Sequence, residues 1–521
     1  MFENPYVIGV DIGTTSTKSV LFAKSGEVVH KSAVPYPLLS PTHATAEQDP
    51  KAIFSAVIKT LRDVVSRIEP AQVLCLSFSA AMHSLILMDE QHRPLTQSIT
   101  WADNRSAKWS TKLKNSEQGQ RIYRRTGTPI HPMSPLVKML WLRNEHPELF
   151  EQAARFISIK EYVFYQLFEQ YVVDHSIASA TGLLNLQALD WDSEALEIAG
   201  VSPKQLSTLV PTTHICQTMR TSCADTIGLP ADLPVVIGAS DGVLANLGVG
   251  AIQPGVVATT VGTSGAVRAV VDQPKTDPDG VLFCYVLTQD HWVIGGAINN
   301  GGIALRWIRD QLADAEIDTA KLLGRDPYDM LTAIANTIRP GAEGLIFHPY
   351  LSGERSPLWD ANAKASFVGL GMHHNKAHMI RAVLEGVVYN LYLVLETLQD
   401  TIGEANSIRA AGGFARSKLW RQMLADVFNR EVMVPESYES SCFGAAILGL
   451  LALGEIDSLD VASDMIGTTY QHRPIAQNVQ VYQRIIPIYQ RLLEKLQPEY
   501  AILAQLQNEL ESQPLNEEVN G

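Results

Sequence analysis

The chain lacks the marks of several protein classes. Its five cysteines, Cys75, Cys216, Cys223, Cys284 and Cys442, form no C-x-x-C pair, and most lie in apolar runs, where buried thiols are common. That pattern describes a reduced, cytoplasmic protein rather than a disulfide-stapled one. Basic charge is in short supply: 41 Lys and Arg face 55 Asp and Glu, a formal net charge of −14, which argues against a broad nucleic-acid-binding face. The longest apolar run, Cys442 to Leu453, falls short of the ~20 residues a membrane helix needs. The opening Met1-Phe-Glu-Asn-Pro-Tyr6 has no basic region of a signal peptide. Neither G-x-x-x-x-G-K-[ST] nor G-x-G-x-x-G occurs, so a P-loop and a dinucleotide fold are both disfavoured.

What is there points to a large α/β protein. The 521 residues exceed the ~250–300 at which one core stops growing, so at least two domains are expected. Val7 to Phe22 holds two β-rich runs around a Gly/Thr/Ser turn, which predicts a hairpin. A helix follows over 49–68, then strands at 73–78 and 85–88. From Met133 to about Gln170 the pattern is helical, with Leu136, Met139, Leu140 and Leu142 on one face. Pro234–Ser240 is a buried strand ending at Asp241. A second module begins near Gly248, where Gly255–Val271 again reads strand, turn, strand. The turn Gly262-Thr-Ser-Gly265 echoes Gly13-Thr-Thr-Ser16, a short hint of two related halves, 1–247 and 248–521. Helices are expected over 376–400, 419–428 and 482–496, the last bent or delayed by Pro487. The acidic last dozen residues read as frayed.

Several segments have the chemistry of a phosphate site. Gly13, Thr14, Thr15 and Lys18 offer backbone N–H groups, hydroxyls and a cation, and Asp11 beside them could hold Mg²⁺ through its water shell. A plain tight hairpin explains the same turn. Gly-rich stretches recur at 262–265, 295–302 and 411–417, spacing suited to a nucleotide clasped between halves or to tight helix–sheet packing. Asp241, at a strand end, is placed for catalysis or for capping the next helix. His373, His374 and His378 contain an i, i+4 pair, with a wet helix start the simpler reading than a metal.

Met133-Ser-Pro-Leu-Val-Lys-Met-Leu-Trp-Leu-Arg-Asn-Glu145 and Ala365-Ser-Phe-Val-Gly-Leu-Gly371, continuing through His378-Met-Ile-Arg-Ala-Val-Leu-Glu385, resemble the two signatures of the FGGY family of carbohydrate kinases. With Asp11-Ile-Gly-Thr-Thr15, Asp241-Gly and Gly412-Gly413, the resemblance spans residues 7 to about 455. Within the family, 171–183 and 295–302 are most similar to gluconate kinases, with xylulokinases next. The resemblance implies two actin-like ribonuclease-H-type domains around a cleft, and an activity that moves a phosphoryl group from ATP, with Mg²⁺, to a sugar or sugar acid. It implies phosphate contacts at Gly13, Thr14, Thr15, Lys18, Gly262 and Thr263, and Mg²⁺ near Asp11. Ribose and adenine contacts fall at Gly302, Gly412, Gly413 and Arg416; the segment after Gly413 departs from the version seen in glycerol kinases. Sugar contacts fall at Met82, His83, Trp101, Asp103 and Asp241, with Asp241 as the base.

A gluconate carboxylate needs a cation, and Arg105, Lys160 and His83 are the candidates; Arg105 leads by chemistry, with a surface ion pair to Asp103 or a neighbour the equal alternative, while Lys160 reads as a helix-surface charge. The expected partners are the sugar or sugar acid and ATP, in a homodimer, with neither nucleic acid nor membrane.

Overall fold

The computed structural model describes residues 5–435 and 439–512. The chain builds two mixed sheets of closely related plan. In the first, the strand Tyr6–Ile12 pairs antiparallel with Ser16–Ala23 and parallel with Val73–Ala80, which in turn pairs parallel with Val235–Ser240. In the second, Val256–Val261 pairs antiparallel with Gly265–Val271 and parallel with Ser407–Ala411, which pairs parallel with Glu431–Pro435. Each half therefore opens with a hairpin and returns through a crossover to its parallel neighbour. The four-residue echo in the sequence marks a repeat of topology.

Local chemistry sets many of the boundaries. The helix Pro50–Val65 starts where Asp49 accepts from the Lys51 N–H and Pro50 fixes the first turn. The single helical stretch expected after Met133 is three helices, Pro135–Glu145, Pro147–Gln152 and Ile159–Phe168. Pro147 opens the second, and a Ser158–Glu161 capping box opens the third. Near the C-terminal end one helix, Ala476–Ser512, runs through both Pro487 and Pro498. Its buried Tyr482, Tyr489, Leu493 and Tyr500 pack against the second half, and this packing outweighs the amide donors the prolines remove. The acidic residues from 513 onward lie outside the described residues.

The helix Lys376–Ile402 is long and apolar enough to cross a membrane, which the sequence reading missed, and it is buried in the core of the second half. Ser440–Ala452, the other apolar helix, packs on the first sheet although it lies late in the chain. A Cβ on Gly9 would sit 2.0 Å from the Cys442 carbonyl oxygen, and one on Gly444 would sit 2.1 Å from that of Leu244. The seam between the halves is thus a backbone-to-backbone contact that only glycine permits.

Candidate active site

Two cavities meet in the cleft. The first, of about 230 Å³, is lined by Thr14, Met82, His83, Trp101 and Asp241 of the first half, and by Arg268, Tyr285 and Arg355 of the second. Asp241 is the first residue of the helix Asp241–Leu247, whose N-cap is Ser240, so Asp241 is not the capping residue. Its Oδ1 accepts from the Gly242 N–H at 2.7 Å. Burial, with Asp11 adding to it, raises its pKa to about 7 against the pull of Arg268, the Gly242 N–H and Arg355. Asp11 accepts from Ser79 Oγ at 2.7 Å, and burial holds its carboxyl above the usual range. Asp11 is thus a poorly solvated carboxylate whose charge also raises Asp241, and a divalent cation held at Asp11 would relieve both.

The segments that carry His83 and Trp101 into this cavity are braced from below. His83 takes the left-handed backbone region (φ 67°). Its Nδ1 lies 2.7 Å from the Ala180 carbonyl and so carries the proton, which leaves Nε2 to accept from the Tyr285 hydroxyl at 3.5 Å. Burial lowers the imidazole pKa to about 3, so it is neutral. Lys138, fully buried, donates to the carbonyls of His83 (2.6 Å), Ile99 (3.3 Å) and Thr100 (2.7 Å). This lysine of the first signature ties the His83 and Trp101 segments together, a role that sequence reasoning did not assign. Trp101 Nε1 donates to Thr14 Oγ1 at 2.9 Å, joining the sugar segment to the hairpin turn.

Three residues expected at the site lie outside the linings of both cavities. Arg105 does not reach the cavity: it is bound to Asp103 and Glu47 and lies over the Trp141 ring. Asp103, 1% exposed, accepts from the Ala46 and Arg105 N–H groups, so it shapes its loop instead of lining the cavity. Lys18 pairs with Glu439 at 2.5 Å, which directs its charge to the seam. Lys160 also departs from expectation. It is not a surface charge but a buried partner of Asp174 at 2.7 Å. Among the described residues no group of His, Cys, Asp and Glu side chains, His373, His374 and His378 included, could hold a metal ion by itself.

The second cavity, of about 350 Å³, lies in the second half and brings together Gly262, Thr263, Gly302, Gly413 and Arg416. The Gly302 N–H donates to the Gly262 carbonyl at 2.7 Å and that of Gly301 to Thr263 at 3.1 Å, lacing the two turns. The helix Gly302–Leu312 points its N-terminus here, a favourable end for phosphate. Gly412 has φ 100°, and a Cβ there would meet the Val261 carbonyl oxygen at 2.4 Å. It sits behind Gly413, outside the cavity lining. Arg306, which donates to Thr263 Oγ1 at 3.3 Å, and Tyr328 also line this cavity, and neither belongs to a motif that marked it in the sequence. Gly262 lines both cavities, so the route between them passes this turn.

Comparison with known proteins gives a consistent picture. Residues 6–248 match the N-terminal domain, and residues 257–453 the C-terminal domain, of the FGGY family of carbohydrate kinases. The chain is 55% identical over 506 residues to the gluconokinase of Bacillus subtilis (strain 168), covering 97% of this chain and 99% of that protein. It is 28% identical over 491 residues to the xylulose kinase of the same organism, covering 94% and 96%. Crystal structures of a gluconate kinase and of a ligand-bound xylulose kinase, both from Lactobacillus acidophilus, superpose with TM-score 0.91 at 39% identity, covering 96% of this chain and 100% of theirs. The two-domain, actin-like architecture expected from the motifs is the one these neighbours share.

Proposed function

The chain belongs to the FGGY family of carbohydrate kinases, and on that premise we propose that it transfers the γ-phosphoryl group of ATP to the terminal hydroxyl of D-gluconate, giving 6-phospho-D-gluconate. One observation carries the transfer. A cavity holding a half-buried carboxylate, Asp241, adjoins a glycine-lined cavity at Gly262, so a donor phosphate and an acceptor hydroxyl have adjoining places. The choice of gluconate rests on the 55% identity to the Bacillus subtilis gluconokinase, set against 28% for its xylulose kinase.

Phosphoryl transfer has a loose transition state, so positioning and charge stabilisation dominate. The Gly13–Ser16 turn, the Thr263 hydroxyl and the positive dipole end of the helix Gly302–Leu312 would hold the phosphates. Asp11 would hold Mg²⁺ through its water shell, and the cation when bound neutralises phosphate charge. Asp241 would orient the acceptor hydroxyl and take up its proton; a pKa near 7 suits a general base at neutral pH. Lys138 fixes the walls that receive the sugar.

The compartment we infer is the cytoplasm, supported by five free, buried cysteines. We carry a homodimer as the assembly. Leu322, Leu370 and Met372 are exposed, and the Lys376–Glu316 ion pair brings the helix Asp314–Leu323 close to the segment holding Leu370 and Met372. Sedimentation as a monomer would reject it.

The test of function is a coupled assay with gluconate, xylulose, ribulose, glycerol and erythritol. Gluconate should give the highest kcat/KM. A preference for xylulose would overturn the substrate assignment, and equal ATP hydrolysis with and without every sugar would overturn the kinase reading.

A further inference from the structure

Gluconate differs from ketose and polyol substrates in its carboxylate, and a buried carboxylate without a partner is costly. None of the three cations proposed from the sequence is free to meet it. Arg105 is bound to Asp103 and Glu47, Lys160 to Asp174, and His83 is neutral. The cations lining the sugar cavity come from the second half, Arg268 and Arg355. Arg355 lies over the Trp101 ring and spends Nε on Asn299 Oδ1 (2.7 Å) and Nη2 on the Ile298 carbonyl (3.0 Å).

Arg268 is different. Its Nη1 donates to Thr260 Oγ1 at 3.1 Å, while its Nε is buried with no partner. It is the one charged residue of an otherwise apolar strand, Gly265–Val271. The surrounding backbone makes room for it: a Cβ on Gly295 would stand 3.0 Å from Arg268 Cγ, and one on Gly242 would stand 3.4 Å from Nη2. Burial lowers its pKa only to about 10, so it stays charged at neutral pH. Both guanidiniums line the cavity together with the buried Tyr285 hydroxyl, and both pull the pKa of that hydroxyl down. A guanidinium that lines a cavity and makes one hydrogen bond, from Nη1, keeps its Nη2 for a carboxylate.

We propose that Arg268, with Arg355 lining the same cavity, receives the carboxylate of the sugar acid and so sets the preference for sugar acids over neutral sugars. The proposal rests on the gluconate reading and adds to it the residue that enforces that choice. D-gluconamide, which keeps the polyol chain and loses the charge, is the probe. The parent enzyme should favour gluconate over gluconamide in kcat/KM, and Arg268→Gln should shrink that ratio by about 10- to 100-fold, the worth of one charged hydrogen bond. The change should lie mainly in KM, and titration calorimetry of gluconate without nucleotide should show the same weakening.

An equal loss on both substrates would mean that Arg268 serves Asp241 or the fold, and would overturn the proposal. Should Arg268→Gln fail to fold, Arg268→Lys decides: it keeps the charge without the fork, and an unchanged ratio rejects the proposal. A parent that uses gluconate but does not discriminate against gluconamide also rejects it. A parent inactive on gluconate rejects instead the function on which the proposal rests.

Discussion

Asp241 is held between opposing charges, and the balance is open to measurement. Burial and the neighbouring Asp11 raise its pKa to about 7, while Arg268 and Arg355 lower it. A base must be deprotonated to accept a proton, so kcat/KM should climb with pH along an acid limb centred near 7. Replacing Asp11 by Asn removes a charge that raises this pKa, so the limb should move to lower pH even as activity falls. A limb that stayed in place would mean that the two carboxylates do not interact. Asp241→Asn should abolish the limb and lower kcat by roughly 10²–10⁴, the usual worth of a general base. Turnover within a few-fold of the parent would remove the role. Asp241 was legible because it ends an apolar strand. Arg268 was not, since one arginine in an apolar run gives no sign of what the other half of the chain will set before it. Arg105 misled for the complementary reason: its chemistry was right for a carboxylate, but its partners Asp103 and Glu47 are protein carboxylates, one of them distant in sequence.

Among the elements, those with local determinants were read from sequence and those fixed by distant contacts were not. The hairpins and the helix after Asp49 follow from turns, caps and periodicity within a few residues. The docking of Ser440–Ala452 on the first sheet does not, because it depends on residues 9 and 244, far away in the chain. That docking makes a sharp prediction about stability. In Gly444→Ala the added methyl would lie 2.1 Å from the Leu244 carbonyl oxygen, in backbone that cannot swing aside. The helices must part, at a cost of about 1–3 kcal/mol typical of overpacking. The urea midpoint should fall clearly below the parent's. Gly413→Ala, where nothing lies within 4 Å of the new methyl, should leave that midpoint nearly unchanged. Equal midpoints for all three proteins would mean the seam is loose.

For the whole molecule, the division of charge between the halves gives the cleft a reason to close. Asp11, Asp241 and the braced His83 and Trp101 segments belong to the first half, while Arg268, Arg355 and the Gly262–Gly302 turns belong to the second. A sugar acid seated at Asp241 would therefore gain the second-half contacts at Arg268 and Arg355, and a nucleotide held at Gly413 the first-half turn at Gly13–Ser16, as the halves approach. Ligands shift a conformational equilibrium by no more than their differential affinity for its states, and here the closed state holds the larger share of contacts. Closure would also expel water, which could otherwise accept the phosphoryl group and waste ATP. Small-angle scattering should thus give a smaller radius of gyration with ADP and gluconate together than for the free protein, and a lesser contraction with either alone. Arg268→Gln should weaken the response to gluconate while leaving that to ADP, because only the carboxylate calls on that guanidinium from across the cleft. An unchanged radius at saturating ligand would mean that the cleft is closed before either ligand arrives, and the specificity of the site would then rest on fit alone.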